Sequence, residues 1–188
     1  MTATATPLVR VLSHFVEGSR KAKYRTMREF AEQEIVIPDG PFGGRKYRCS
    51  RQPYAKVWFD EVDSGRWRRH VATGPTLSGK TLTCSVIPTL YYLFERGESV
   101  VFGMPSREMA GDKWREDLLP VIMACRYRDL LPTEGEGSRG GIVKTGVKFR
   151  NGATLRMMGA GGSDKQRAGF TAKHIVITET DGMDTAGG

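Results

Sequence analysis

Cysteine is scarce in this chain. Cys49, Cys84 and Cys125 are odd in number and widely spaced, and no Cys-x-x-Cys pair exists. That spacing excludes a zinc ribbon or a dithiol redox motif. Histidine is equally sparse, at His14, His70 and His174, and all six residues are expected to be structural or incidental. No apolar run approaches the roughly 20 residues that cross a bilayer, so no membrane partner is expected. The N-terminal Met1-Thr2-Ala3-Thr4-Ala5-Thr6-Pro7 lacks the charged-then-apolar layout of a signal peptide. The expectation is an intracellular protein, and no internal repeat is visible.

What the chain has is enough apolar residue to build a core. Apolar residues are 39% and charged residues 27% of 188, which suits one globular domain with room for a short appendage. The formal net charge is +8 and the pI near 9.6. Such a surplus attracts polyanions at long range, although a basic protein with no polyanionic partner has the same balance. The cations cluster. Arg20, Lys21, Lys23, Arg25 and Arg28 form one group, Arg45-Lys46-Tyr47-Arg48 with Arg51 a second, and Arg66-Trp67-Arg68-Arg69 a third. The last two mix basic and aromatic side chains, as a surface that tracks a nucleic-acid backbone does; a solvated face reads the same way.

Residues 8–34 have helical periodicity, with Leu8, Leu12, Phe15, Met27, Phe30 and Ala31 on the apolar face and a possible split at Gly18-Ser19. Pro38 to Gly44 is rich in turn formers and reads as a linker, so residues 1–40 are expected to form a helical appendage to a domain over 41–188. Tyr54 to Val62 reads as a short amphipathic helix with Tyr54, Val57, Trp58 and Val62 apolar. Then come a strand over Arg69–Thr73, a helix over Gly79–Arg96 and a strand over Ser99–Met104. A helix over Pro105–Arg126 is next, which Pro120 should bend or split. Gly135 to Gly141 reads as a surface loop. Asn151-Gly152 marks a hairpin between Ile142–Phe149 and Ala153–Met158. After Gly159–Gly162, Lys173 to Thr178 is a short apolar strand of the kind buried on both faces. The order predicts an α/β fold: a mainly parallel sheet with helices on both faces.

Gly74-Pro75-Thr76-Leu77-Ser78-Gly79-Lys80-Thr81 is a complete Gly-x-x-x-x-Gly-Lys-Thr motif, placed between the expected strand and a helix start. Glycines let successive amides turn toward phosphate oxygens, and the helix start adds free N–H groups. Lys80 would neutralise the β- and γ-phosphates of ATP and the Thr81 hydroxyl would ligate Mg²⁺.

The acidic partner expected of such a loop lies about 100 residues downstream, in Ile175-Val176-Ile177-Thr178-Glu179-Thr180-Asp181. Glu179 stands just past the strand end, where it would orient and deprotonate the attacking water; a solvated loop carboxylate is the alternative. Thr178 stands where an Asp is usual. It can hydrogen-bond a Mg²⁺-bound water but brings no charge, and Asp181 is the candidate to supply one.

These segments, in order, resemble the ATPase domain of the large terminase of tailed phages, of the gpA-like type. The resemblance spans about residues 50 to 184. It rests on Arg51-Gln52-Pro53-Tyr54 before a short helix, Ala72 to Thr81, Val100-Val101-Phe102-Gly103-Met104-Pro105-Ser106, and Gln166-Arg167-Ala168-Gly169-Phe170 leading into His174 to Glu179. It implies a P-loop NTPase of the additional-strand, RecA-like type that hydrolyses ATP to drive double-stranded DNA into a procapsid. The implied partners are the portal protein, the small terminase subunit and further copies in a ring, in the host cytoplasm and at the portal vertex. Gln52 falls at the place of an adenine-recognising glutamine, with a plain surface role as its alternative. Arg167 falls where an arginine reaches a γ-phosphate in cis or in trans, with a salt bridge or a DNA contact as its alternatives. The coupling motif and the metal-dependent nuclease of full large terminases have no counterpart here, so DNA cleavage is not expected. Two other readings stay open: a helicase-like ATPase, and a module that binds ATP and DNA without hydrolysis.

Overall fold

The computed structural model describes residues 23–138, 143–159 and 172–180. The expected helical positions before residue 23, the glycine run 160–162, Arg167 and Asp181 lie outside the described residues.

Helix α1, Met27–Glu34, starts at a capping box: Glu29 N donates to Thr26 Oγ1 (3.1 Å) and Thr26 N to a Glu29 carboxylate oxygen (2.8 Å). Its apolar face buries Met27, Phe30 and Ala31, with Ile35 just past its end, in one cluster with the rest of the core. Residues 27–35, assigned from the sequence to an appendage, therefore belong to the same hydrophobic core as the sheet and the later helices. A small hairpin comes next, in which Tyr47 N donates to Ile35 O (2.9 Å) and Ile37 N to Arg45 O (2.9 Å). Helix α2, Pro53–Ser64, has proline at its first position and ends at Gly65, whose φ of 64° only glycine adopts readily. Ala55 and Phe59 are its buried residues, while Tyr54 and Val57 are exposed. The apolar stripe is thus rotated from the one the sequence predicts, and Tyr54 faces the neighbouring loop.

Two longer helical segments come after it, α3 over residues 81–95 and α4 over residues 107–124. Both contain prolines, yet neither breaks. Ahead of Pro88 and Pro120 the backbone widens to i→i−5 hydrogen bonds, from Ile87 N to Leu82 O and from Leu119 N to Trp114 O. The wide turn makes room for a ring that has no N–H to give and would press on the carbonyl four residues back. The sequence predicts a bend or split at Pro120; the π-turn explains why the segment runs on to Ala124.

Among the described residues the sheet has four strands, β1 (Val100–Met104), β2 (Gly146–Lys148), β3 (Thr154–Gly159) and β4 (His174–Ile177), in the order β2-β3-β1-β4. β1 is parallel to β3 and to β4, and β2 pairs antiparallel with β3 across the predicted Asn151-Gly152 turn. The fold is α/β with an open, mixed sheet. Val100, Phe102 and Met104 of β1, with Leu155 and Met157 of β3, face the core that holds Trp114, Leu118, Leu90 and Phe149. Each large side chain buried there contributes about 1.5–3 kcal/mol.

The structure corrects two expectations. Residues 69–73 are not a strand: they have no sheet partner, and Val71 is 84% exposed. With one β-branched apolar residue in an exposed stretch, this segment gains too little burial to join the sheet. β4 is not buried on both faces, since Ile175 and Ile177 are 61% and 46% exposed. In the register of β1 with β4, Ile175 and Ile177 stand opposite Val101 and Gly103, on the face of the sheet away from Val100 and Phe102.

Candidate nucleotide site

The loop of residues 74–79 is solvent-exposed or nearly so, and it curls around a single ammonium group. Lys80 Nζ donates to Gly74 O (2.7 Å), to Pro75 O and, at 3.3 Å, to Ser78 Oγ. Ser78 Oγ in turn donates to Pro75 O (2.9 Å). The curl needs left-handed backbone at two positions, Leu77 (φ 60°) and Gly79 (φ 75°). Glycine adopts it freely; for leucine it costs about 1–2 kcal/mol. Leu77 is fully exposed, so packing does not offset that cost. Strain held in place by surrounding structure is a feature of ligand-binding loops.

What holds the loop is a polar network with Gln52 at its centre. Thr83 Oγ1 donates to Gln52 Oε1 (2.8 Å), and with that proton so placed Tyr47 OH donates to Thr83 Oγ1 (2.9 Å). Gln52 Nε2 reaches Ser78 O at 3.4 Å, and Tyr54 OH donates to the same carbonyl at 2.8 Å. Burial raises the phenols of Tyr47 and Tyr54 above their ordinary range, so both stay protonated donors at neutral pH. Gln52, which the resemblance assigns to adenine recognition, therefore stands against the loop with its amide engaged by the protein. Thr83 carries no site signal in the sequence, and neither the basic cluster that holds Tyr47 nor the Arg51 to Tyr54 segment gives either tyrosine a role at the loop. Tyr54 sits two positions past Gln52 and Thr83 two past Thr81, and only the folded contacts reveal their shared target. Cys84, one turn beyond Lys80, has its thiol pushed up to about 11 by burial, which leaves it an unreactive packing group.

The downstream strand leads directly into Glu179. Thr178 N donates to Gly103 O (3.1 Å), which extends β4 by one bond beside β1. Glu179 comes next with φ 57°, the second described non-glycine residue in left-handed backbone. Its carboxylate lies 3.8 Å from Lys113 Nζ of α4, and the same ammonium pairs with Asp117 at 3.0 Å. No hydrogen bond or ion pair joins Glu179 or Thr178 to the 74–81 loop among the described residues.

The loop suits a phosphate: exposed backbone at a helix start and a lysine ammonium within it. The described residues do not complete a magnesium site. Thr81 and Thr178 offer hydroxyls only, and no group of three or more His, Cys, Asp or Glu able to hold a metal ion occurs among them. No helix of the described residues is long and apolar enough to cross a membrane. Comparison with protein families, with curated proteins and with solved structures finds no match to this chain.

Proposed function

We propose that this chain is the ATP-hydrolysing part of a motor that moves double-stranded DNA into a viral procapsid. The observation that carries the reading is the Lys80-centred loop at the start of α3, held by Gln52, Thr83 and Tyr54. In this reading the ligand is ATP with Mg²⁺, which the Thr81 hydroxyl would help to hold and which would offset phosphate charge. Lys80 leaves Gly74 O and Pro75 O to bind phosphate oxygen, and the loop amides accept the remaining charge. Gln52 fixes the loop through Ser78 and sits where an adenine edge would approach. Glu179 positions and deprotonates the attacking water, and Arg167 supplies a cation to the developing charge. The portal protein, the small terminase subunit and a ring of copies are the proposed partners, and a P-loop NTPase of the additional-strand type is the proposed fold family.

A second reading is a module that binds nucleotide and DNA without hydrolysis. One observation favours it: the Glu179 carboxylate is paired with Lys113. ATP turnover with and without duplex DNA, in the parent and in Glu179→Gln, separates the two. Turnover in the parent that Glu179→Gln removes, with nucleotide still bound, supports hydrolysis. Turnover that the substitution leaves intact rejects Glu179 as the base. A parent that binds ATP yet never turns it over selects the binding module.

A further inference from the structure

The fold does not treat its cations alike. Arg25 is held by Glu95 and Glu34, Arg66 by Glu61, Arg96 by Glu98, Lys113 by Asp117 and Arg126 by Glu34. Part of the first basic cluster is therefore structural. Between Asp39 and Asp60 the sequence has no acidic residue and five cations, Arg45, Lys46, Arg48, Arg51 and Lys56, all exposed. Lys46 Nζ donates to Gln33 O at the end of α1, but the side chains of Arg45, Arg48, Arg51 and Lys56 have no ion pair or hydrogen bond among the described residues. The Arg51 guanidinium stacks over the exposed Phe42 ring at the hairpin tip, 4.7 Å from its centroid. That stacking fixes the group without neutralising it.

This segment, whose Cys49 N donates to Glu32 Oε1 of α1 (3.0 Å), is also seated beside the P-loop. Tyr47, between Lys46 and Arg48, points inward to Thr83, and Gln52, next to Arg51, reaches Ser78. The inward residues of the segment thus bind the loop, while the outward ones present positive charge.

We propose that the hairpin and turn over residues 40–51, with Arg45, Arg48 and Arg51 as contacts, form the surface on which the phosphate backbone of double-stranded DNA docks. The choice of DNA as the polyanion rests on the packaging reading; the location rests on the charge and its seat. Three exposed guanidiniums with no carboxylate partner among the described residues suit a polyanion such as a phosphate backbone. Duplex and nucleotide then meet on two sides of one hydrogen-bonded network.

The test is anisotropy of a short labelled DNA duplex titrated with the full chain over a salt series, with nucleotide affinity measured in parallel. Replacing Arg45, Arg48 and Arg51 together by Ala should weaken duplex binding at least about tenfold at low salt. It should also reduce the slope of log K against log salt by about 2.7, at about 0.9 for each phosphate no longer neutralised. Nucleotide affinity should stay as in the parent. The control Lys144→Ala with Lys148→Ala, exposed cations at the β2 edge, should change neither. If the triple variant loses its fold, Arg48→Gln with Arg51→Gln should lower the slope by about 1.8 instead. Parent-like binding and slope in the arginine variants, or an equal loss in the control, overturns this location while DNA binding stands. A parent that binds nucleotide but no duplex at any salt overturns both the surface and DNA as partner.

Discussion

Gly79 lies so close to Gln52 that a Cβ at position 79 would overlap the Gln52 side-chain amide. The glycine is required twice over, by its φ of 75° and by this approach. The two demands can be separated because Gln52 is itself held by Thr83.

Gly79→Ala should lower stability by about 1–2 kcal/mol and nucleotide affinity by about tenfold, because the backbone resists φ > 0 and Gln52 must leave its partners. Gln52→Ala should cost about 1 kcal/mol by itself. The double variant should cost less than the sum, since the overlap is gone and only the φ strain remains. Urea denaturation of the four proteins reads this directly. Additive losses would mean that the contact with Gln52 does not constrain Gly79.

Lys113→Met should raise ATP turnover, by no more than about fivefold. The ion pair with Glu179 is half-exposed and 3.8 Å long, and such pairs are worth about 0–1 kcal/mol. Releasing Glu179 therefore frees a carboxylate without rebuilding the site. Steady-state phosphate release is the measurement. A fall in turnover would instead place Lys113 within the machinery and count against the pairing as a restraint.

The parts of this molecule that are legible in the sequence are those set by neighbours along the chain. The Asn151-Gly152 turn forms because Gly152 takes φ 89° and Asn151 Nδ2 reaches Leu93 O (2.8 Å), a local cue with one added contact. The Gly-Lys-Thr loop is legible for the same reason. The expected strand over 69–73 fails because strand formation is decided by a partner edge, and no sequence pattern supplies one. The ion pair of Glu179 with Lys113 is not legible either, because the two are far apart in sequence and only the fold brings them together. The Tyr47–Thr83–Gln52 network is invisible in the sequence for the same cause: three polar residues, 5 to 36 positions apart, share one buried oxygen cluster.

Arg25→Ala should destabilise the fold by about 2 kcal/mol, more than a surface ion pair would. Arg25 Nη2 is 2.6 Å from Glu95 and its Nη1 2.5 Å from Glu34, and both carboxylates are largely buried. The Glu95 bond leads the effects that raise the guanidinium pKa, and the same bond leads those that lower that of Glu95, so both ends agree on a favourable pair. Without the arginine, Glu95 loses its cation, while Glu34 keeps Arg126 at 2.8 Å. The residue joins the segment before α1 to the end of α3, the helix that begins at the P-loop. Chemical denaturation should show the loss, and a change under about 0.5 kcal/mol would class the pair with ordinary surface bridges.

Stability should fall as the pH drops below about 6.5, and the cause should be His174. Its ring stacks on Tyr92 (centroids 3.5 Å apart), and its Nε2 lies 2.6 Å from Glu98, with Lys173 and Arg96 as the nearby cations. Burial depresses the imidazole below its ordinary 6.5, and the opposing pull of Glu98 does not restore it. A depressed pKa means the unfolded chain binds the proton more readily. The contribution is therefore complete above 6.5 and lost as the pH falls through the folded value. Glu98 has the same sign lower down. Burial raises its carboxyl, but the bonds from Lys173 and His174 outweigh that and leave it below 4.5, so its share is lost only as the pH falls beneath that value. Urea denaturation at intervals between about pH 7.5 and 2.5 should show two successive declines, and His174→Gln should remove the first and keep the second. A parent whose stability rises between pH 6.5 and 5.5 would reverse the sign: the protonated His174–Glu98 pair would then outweigh burial.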